Sequence, residues 1–361
     1  MLRRAVFTAG VPTIMRAAPT ATMAGPRRVG VHTTRLRKPS SPHVVQAMDG
    51  VIDAQAVLDE RARVHFVEPP ARGTFFATRR GQAEWLQTLN ADIVLTYNWG
   101  AIETVAAARG LKMPLVHHED GFGPEEIDRL LMRRNWMRRW LLRGVPVIVP
   151  SRGLHQIARS SWGVHANHFV NGVDLHRFSP APDDPVDMTI GSVGALRPEK
   201  DYLTLIRAVA KMQRTANLRL VGGGPLEAEL RAECARLGIE PRVSFAGFTD
   251  DTAEEFRRFS IFAMSSRTEQ MPIALVEAMA CGLPVVATDV GDIREMVATP
   301  NRALIVRPGD PAALAEALDK VAGDRDLRLR LGAANRADAV RCYEDQVCLD
   351  RYVKVYDRVR G

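Results

Sequence analysis

Short apolar runs alternate with stretches of helical period along the chain from residue 43 onward. The runs have the length of buried parallel strands, and the stretches between them have the length of helices. The predicted strands form a first series at 43–47, 64–67, 93–96, 115–117 and 145–149, and a second at 189–193, 218–221, 243–245, 261–265, 285–288 and 303–306. The predicted helices lie at 79–89, 101–109, 125–142 and 153–161, then at 203–213, 226–237, 252–259, 273–280, 312–321 and 345–360. This alternation predicts an α/β protein with two doubly wound, Rossmann-like parallel sheets.

A change in composition near residue 180 separates the two series. Pro180, Pro182 and Pro185 surround two aspartates there, which is typical of a linker. We therefore predict a first domain at 41–180, a second domain at 181–344, and a carboxyl-terminal helix at 345–361 that packs back toward the first domain. Two such domains facing a central cleft would place ligands at the carboxyl ends of their strands.

The amino-terminal 40 residues lack this pattern and carry an excess of positive charge. Residues 1–48 contain eight basic side chains and no acidic one, which leaves 41 Lys and Arg against 42 Asp and Glu in the rest of the chain. The folded body is therefore close to neutral, and a nucleic-acid surface across it is not favoured. Residues 1–40 are interpreted as a poorly ordered extension or an atypical start, with an Arg-rich organelle transit peptide as the alternative.

The length of the apolar runs and the spacing of the cysteines exclude further classes of protein. No apolar run approaches the roughly 20 residues of a membrane-spanning helix. The four cysteines have neither metal-ligand spacing nor disulfide spacing, which suits a reducing cytoplasm. No other group of side chains has the spacing of metal ligands, so no metal site is predicted.

Candidate chemistry begins with a pair of glutamates in the second series. The strand at 261–265 ends in a loop that presents Glu269, and a helix begins near Pro272, a residue suited to the first helical position. The backbone near Met271, Pro272 and Ile273 offers the free amides of a helix start, which form an anion site. Glu277 lies roughly one to two turns further along the same helix.

The two glutamates carry a family resemblance. Their Glu-x7-Glu spacing, followed by Glu-Ala-Met-Ala-Cys-Gly-Leu-Pro-Val-Val-Ala-Thr at 277–288, resembles the signature of the retaining glycosyltransferase family 4. The resemblance implies a GT-B fold, a nucleotide-sugar donor held by the second domain, and no metal or other cofactor. It also implies that Glu277 binds the ribose hydroxyls and that Glu269 binds hydroxyls of the donor sugar.

A glycine turn with two cations follows the first strand of the second series. Gly194 follows that strand, and Arg197 and Lys200 precede the next helix. Cations in this position can neutralise the charge that develops on a departing diphosphate. The family's usual form is Gly-Arg-Leu-x3-Lys, so the resemblance assigns the phosphate role to Lys200. Ala195 stands where the family has arginine, and Arg197 is taken as a displaced substitute.

Two further turns and a histidine pair extend the resemblance. Residues 222–225 look like the family's Gly-x-Gly-Pro turn, and Gly247-Phe248 like the place where its backbone meets the nucleotide base. The residues His-His-Glu-Asp-Gly at 117–121 resemble the family's His-x-Glu-x-Gly edge, which faces the acceptor and the transferred sugar. That alignment makes His117 the functional histidine, with His118 as the alternative. Residues 1–40 hold no convincing copy of the family's opening strand and glycine-rich loop.

The predicted helix at 125–142 has an unusual composition. It carries several arginines among Trp136, Trp140 and leucines. Such a helix suits either an anionic membrane surface or a solvated, partly packed position. The arginines do not separate onto one helical face by spacing alone.

Together these observations predict a cytoplasmic glycosyltransferase, peripheral to the inner face of a membrane if the arginine-rich helix lies on it. It would move a sugar from a UDP- or GDP-linked donor to a glycan, lipid or small-molecule acceptor with retention of configuration. Lys200, Arg197 and the helix-start amides would stabilise the departing diphosphate. Two alternatives stay open: a nucleotide-sugar epimerase on the same fold, and an inactive nucleotide-binding protein with an incomplete acceptor domain.

Overall fold

The computed structural model describes residues 5–9, 43–47, 64–68, 71, 73–89, 91–122, 126, 130–182, 185 and 187–361. The described chain divides between Val170 and Asn171 into two compact units, and Cys348–Gly361 belongs to the first unit. The division therefore falls before the proline-containing segment near residue 180. Each unit contains its own parallel sheet.

The first unit alternates strands and helices along the chain. Its strands are β1 (Ala5–Ala9), β2 (His43–Ala47), β3 (Val64–Val67), β4 (Ile93–Tyr97), β5 (Leu115–His118), β6 (Val147–Val149) and β7 (Ala166–His168). Its first helices are α1 (Phe75–Leu89), α2 (Ile102–Gly110), α3 (Met132–Leu141) and α4 (Arg152–Ile157), the last continued by a π-helical turn at Ala158–Trp162. The described strands form one sheet in the order β3-β2-β1-β4-β5-β6-β7. Within the helix predicted at 125–142, residues 130 and 131 are not helical and α3 begins at Met132, while 125 and 127–129 lie outside the described residues.

Strand β1 lies at the centre of this sheet, in a segment where the sequence pattern predicts no strand. Ala5 is in register with His43 of β2 and with Ile93 of β4, and both pairings are parallel. The strand is the short run Ala-Val-Phe-Thr-Ala, bordered by arginines on its amino-terminal side. The first sheet therefore has an opening strand. The rest of the predicted extension, at 1–4 and 10–40, lies outside the described residues.

Alternate residues of the central strands supply two separate hydrophobic clusters in the first unit. Val94 packs in one cluster with residues of α1, α2 and the π-helical turn. Ile93 and Leu95 pack in the other cluster with residues of α12 (Asp345–Arg360). Because successive side chains of a strand point to opposite faces, the two clusters cover the two faces of the sheet. The carboxyl-terminal helix thus supplies one of the two layers.

The second unit repeats the alternation on a sheet of its own. Its strands are β8 (Thr189–Val193), β9 (Asn217–Val221), β10 (Val243–Gly247), β11 (Ile261–Met264), β12 (Val285–Thr288) and β13 (Ile305–Val306). Its helices are α5 (Tyr202–Lys211), α6 (Glu227–Arg236), α7 (Thr252–Arg257), α8 (Ile273–Ala280), α9 (Ile293–Met296), α10 (Pro311–Ala322) and α11 (Arg325–Cys342). The strand order is β10-β9-β8-β11-β12-β13.

This strand order reverses between β8 and β11. Chain connections run outward from β8 in one direction and outward from β11 in the other, so the loops that follow these two strands diverge. In open parallel sheets such a reversal leaves a crevice at the carboxyl ends of the strands, and ligands bind there. The corresponding reversal in the first unit lies between β1 and β4.

Length and hydropathy of the helices bear on membrane insertion. Among the helices that the structure describes, none has both the length and the apolar content required to span a bilayer.

Candidate active site

The loops after β8 and β11 bring two oppositely charged side chains together. Lys200 ends a short 3-10 turn after β8, and its Nζ forms an ion pair with Oε1 of Glu269 in the loop after β11. Ser266 Oγ donates to the same carboxylate oxygen at 2.8 Å. The Lys200 side chain is 27% exposed and that of Glu269 is 11% exposed. The pair therefore sits at the reversal of the sheet, sheltered but still within reach of solvent.

Backbone contacts hold these two loops to each other. The Arg267 amide donates to the Glu199 carbonyl at 2.8 Å, and Ser265 Oγ donates to the Lys200 carbonyl at 3.0 Å. On the other side, a Cβ on Gly291 would lie 2.2 Å from the Glu269 carbonyl oxygen. The position of the Glu269 loop thus depends on a glycine in the loop after β12.

Glycines also join the loop after β8 to the loop after β9. The Gly194 amide donates to the Val221 carbonyl at 2.9 Å. A Cβ on Gly222, where φ is +127°, would lie 2.1 Å from the Gly194 carbonyl oxygen, and one on Gly224 would lie 2.4 Å from that of Leu196. The glycine turn predicted as a family feature therefore serves a local packing need: backbone meets backbone where a side chain would not fit.

Helix α8 carries the second glutamate. The helix begins at Ile273, and Pro272 is the residue before it, with an extended backbone, instead of the first helical residue. Glu277 is 1% exposed, and its Cα–Cβ bond tilts toward the start of α8, as in any helical residue. Burial and the nearby Glu277 charge raise the pKa of the Cys281 thiol to about 12. Both glutamates thus belong to one loop–helix segment.

The remaining residues predicted for the donor differ in exposure. The Met271 side chain is buried, with its Sδ 3.2 Å from the Asn171 amide nitrogen, so only its backbone can face a ligand. Gly247 has a φ of +67°, and the Phe248 ring beside it is 54% exposed. Arg197 is partly buried, and no ion pair joins its side chain to another described residue.

In the first unit, His117 lies inside a buried ionic cluster. Its Nδ1 is 2.9 Å from Thr96 Oγ1, and its Nε2 is 3.4 Å from Glu119 Oε2. Glu119 accepts two bonds from the Arg138 guanidinium, both at 3.2 Å. The same guanidinium also bonds Glu126, and His117, Glu119 and Arg138 are all 0% exposed. The histidine is therefore held by protein groups on both ring nitrogens.

The ionisation of this cluster follows from its packing. Burial opposes ionisation of Glu119, but the Arg138 charge and the contacts with His117 outweigh it, and the pKa of the carboxyl is lowered. The Arg138 guanidinium lies 5.1 Å from the ring centres of Trp99 and Trp162, close enough for cation–π attraction. Arg138 therefore remains a buried cation between carboxylates and aromatic rings.

His118 has a different environment from its neighbour. Its Nε2 lies 2.8 Å from the Tyr356 hydroxyl of α12, and its ring stacks on Tyr97 at 4.3 Å between centres. Burial raises the pKa values of Tyr97 and Tyr356, so both phenols stay protonated. Burial, and then the Glu119 charge, raise the pKa of Asp120 to about 8. His118 thus contributes to the seating of α12, while His117 belongs to the ionic cluster.

Some residues of both regions were not found from the sequence. Ser265 and Ser266 stand directly after β11, and a search for polar residues at strand ends would have found them. Arg138 gave no such signal, because it is one of several arginines on α3. Among the described residues, no group of three or more His, Cys, Asp or Glu side chains has a metal-binding arrangement.

Comparison with known sequences matches about half of the chain. Residues 187–324 match the family model described as "Glycosyl transferases group 1". The lipopolysaccharide core biosynthesis glycosyltransferase LpsE of Rhizobium meliloti is 31% identical over 186 residues, which covers 52% of this chain and 54% of the relative. A GDP-mannose-dependent monoacylated alpha-(1-6)-phosphatidylinositol monomannoside mannosyltransferase of Corynebacterium glutamicum is 32% identical over 205 residues, 50% of this chain and 53% of the relative. The matched part of the chain spans about half the length of these relatives.

Comparison with solved structures covers nearly the whole chain. The structure of HepE from Anabaena in complex with UDP-glucose has a TM-score of 0.79 and 19% identity, over 98% of this chain and 99% of that one. Identity this low bears on the fold alone. With its two parallel α/β units and this likeness, the chain has the GT-B fold, and its second unit matches the glycosyl transferases group 1 model.

Proposed function

We propose that this chain is a retaining glycosyltransferase that transfers a sugar from a UDP- or GDP-linked donor to a glycan or lipid acceptor. The observation that carries the proposal is the Lys200–Glu269 pair at the reversal of the second sheet, beside the start of α8. The names of the relatives support it, since they include a lipopolysaccharide core enzyme and a GDP-mannose-dependent enzyme acting on a lipid. The UDP-glucose complex of HepE supports a nucleotide-sugar donor.

The donor diphosphate would lie against Lys200, Arg197 and the first amides of α8. A helix start carries a partial positive charge and unpaired amides, and cations beside it add to the attraction for an anion. As the bond between the anomeric carbon and the phosphate oxygen breaks, negative charge grows on the diphosphate. Groups already fixed around that oxygen stabilise this charge without reorganisation. No bound metal or cofactor is part of this proposal.

The two glutamates and the exposed aromatic ring would hold the parts of the donor on either side of the diphosphate. Glu269 would accept hydrogen bonds from the sugar hydroxyls, and its ion pair keeps it next to Lys200. Glu277 would accept from the ribose hydroxyls. Gly247 and Phe248 would lie at the base, where an exposed ring offers a stacking surface.

The acceptor would be bound by the first unit, as the family resemblance implies. The acceptor oxygen would bond to the anomeric carbon on the face that the diphosphate leaves, and its proton would pass to the departing phosphate oxygen. His117 would lie on the acceptor side. Its bonds to Thr96 and Glu119 fix the orientation of the ring.

Ligand binding and transfer can be tested in sequence. Thermal-shift measurements with UDP, GDP and ADP identify the base, and the matching radiolabelled nucleotide sugar is then incubated with lipid and glycan extracts. Transfer of label to an acceptor with retained configuration is expected. Label that stays on the nucleotide as a changed sugar would identify an epimerase, and nucleotide binding without any transfer would indicate a binding protein.

Site variants test the residue assignment. Lys200→Ala is expected to lower kcat/KM by roughly 100- to 1000-fold, as does the loss of one preorganised charge-stabilising group. Glu277→Gln keeps the shape of a buried side chain and should weaken nucleotide binding. Lys320→Ala removes an exposed lysine of α10 and serves as the matched control. Near-normal kinetics in Lys200→Ala and Glu277→Gln would refute the assignment.

A further inference from the structure

Helix α3 exposes three large apolar side chains that follow one another at intervals of four residues. Met132, Trp136 and Trp140 are 66%, 72% and 70% exposed. Their spacing of four residues places them on one face of the helix, one turn after another. Tryptophan is rarely exposed to this degree in water, and a continuous apolar patch marks an interaction surface. We call these three residues the α3 ridge.

The structure separates the arginines of this region into two sets. Arg134 and Arg138 turn inward and pair with Glu126, and Arg138 also pairs with Glu119. Arg133, Arg139 and Arg143 are exposed, and none of them forms an ion pair with another residue in the described parts of the chain. The two sets therefore differ in their surroundings, because the inward arginines neutralise buried carboxylates and the outward arginines lie exposed on the surface.

The outward arginines flank the ridge. Each residue of a helix is rotated by about 100° from the one before it. Arg139 therefore falls on one side of the α3 ridge and Arg133 on the other, and Arg143 lies just after the end of the helix. No acidic residue occurs between 131 and 144. The exposed face thus combines an apolar centre with cations on its borders.

We propose that this face binds the surface of an anionic phospholipid bilayer. Tryptophan side chains favour the boundary between headgroups and acyl chains, where the ring is buried and the indole N–H stays hydrated. Arginines beside them attract the lipid phosphates. The charge on both borders selects an anionic surface over a neutral one. This inference goes beyond the proposed function, because lipid binding by this face does not depend on transfer activity.

Vesicle binding tests the proposal with the purified full chain. Vesicles of phosphatidylcholine alone are compared with vesicles that also contain phosphatidylglycerol, by co-sedimentation and by tryptophan emission. Binding only to the anionic vesicles is expected, with a blue shift of emission, and with release at about 1 M salt, where charges are screened within about 3 Å. Equal binding to both vesicle types, or binding to neither, would overturn the proposal.

Two sets of variants measure the contributions of the α3 ridge and of the flanking arginines to vesicle binding separately. Trp136→Ser with Trp140→Ser should abolish the blue shift. Arg133→Gln, Arg139→Gln and Arg143→Gln together should weaken binding about 100-fold, since each cation near an anionic bilayer contributes roughly a factor of five. The controls are Phe76→Ser, an exposed aromatic residue of α1, and a triple Gln variant of the exposed arginines Arg302, Arg307 and Arg330.

Sedimentation velocity without lipid tests whether the α3 ridge binds a second copy of the chain instead of a bilayer. A monomer is expected at the concentrations used for vesicle binding. Self-association that the tryptophan variants remove, together with no binding to anionic vesicles, would assign the ridge to a dimer contact and reject the bilayer.

Discussion

The two units hold the polar residues at their strand ends by different means. In the first unit, side chains bond to side chains, and His117, Glu119 and Arg138 are shut away from solvent. In the second unit, close backbone contacts at glycines join the loops beside the Lys200–Glu269 ion pair, and Lys200 stays partly exposed. The first edge is therefore enclosed by its own charged side chains, and the second leaves a charged pair within reach of solvent.

This difference indicates where each unit is vulnerable. A buried ion cluster has already exchanged its hydration for internal bonds, so removal of one member leaves its partners buried and uncompensated. A partly exposed ion pair contributes little to stability, because water and salt screen it. Substitutions at the first edge should therefore change stability, and charge substitutions at the second should change binding and catalysis.

The largest expected effect is that of Arg138→Met. It leaves Glu119 and Glu126 without their common cation and should lower the free energy of unfolding of the first unit by about 3–5 kcal/mol. Tryptophan fluorescence during urea unfolding reports this unit selectively, since all five tryptophans lie in it. Arg133→Met, at an exposed position of the same helix, should change the same quantity by less than about 0.5 kcal/mol.

A second step sharpens this test. If the loss comes from uncompensated charge, Glu119→Gln and Glu126→Gln in the Arg138→Met background should restore part of the stability, because amides are less costly to bury than carboxylates. An Arg138→Met variant that unfolds like the unsubstituted chain would show that the cluster is not closed, and the contrast between the two edges would fail.

A smaller effect is expected from Gly222→Ala in the second unit. The new Cβ would lie 2.1 Å from the Gly194 carbonyl oxygen, at a backbone φ of +127°. Overpacking and the unfavourable conformation should together lower stability by about 2–4 kcal/mol. Gly309 also has a positive φ, +73°, but nothing lies within 4 Å of its Cβ position, so about 1 kcal/mol is expected for Gly309→Ala. Thermal unfolding followed by circular dichroism measures both, and equal losses would show that the contact with Gly194 is unimportant.

The sequence predicted the bounds of those strands and helices whose limits follow from their own hydrophobic period and the turn residues around them. The strands β2, β3, β8 and β12 and the helices α8 and α12 have the predicted bounds, because each is a run of uniform period between turn residues. Strand β1 was missed, since its run stands beside arginines in a segment that shows no alternation of strand and helix periods. Its identity depends on β2 and β4 on either side, and that is a tertiary property.

The candidate site was also only partly predictable from the sequence. The loops carrying Lys200 and Glu269 could be named from motif spacing, but their ion pair depends on the strand order that makes β8 and β11 neighbours. The sequence also offered no means of separating Arg138 from the other arginines of α3. Which arginine turns inward is decided by where Glu119 and Glu126 lie, and those positions come from the fold.

The smallest effect concerns the seating of α12 on the first unit. Tyr356→Phe removes the hydroxyl that lies 2.8 Å from His118 Nε2 and should lower the stability of that unit by about 1 kcal/mol, the usual contribution of one hydrogen bond. In a His118→Phe background, which keeps an aromatic ring beside Tyr97, the same substitution should have a smaller effect, because one partner of the hydroxyl, His118, is already gone and only Tyr97 remains. Equal effects in both backgrounds would mean that the hydroxyl acts without His118. The tryptophan signal again reports the correct unit, so a coupling of this size would place His118, unlike His117, among the residues that fasten the last helix.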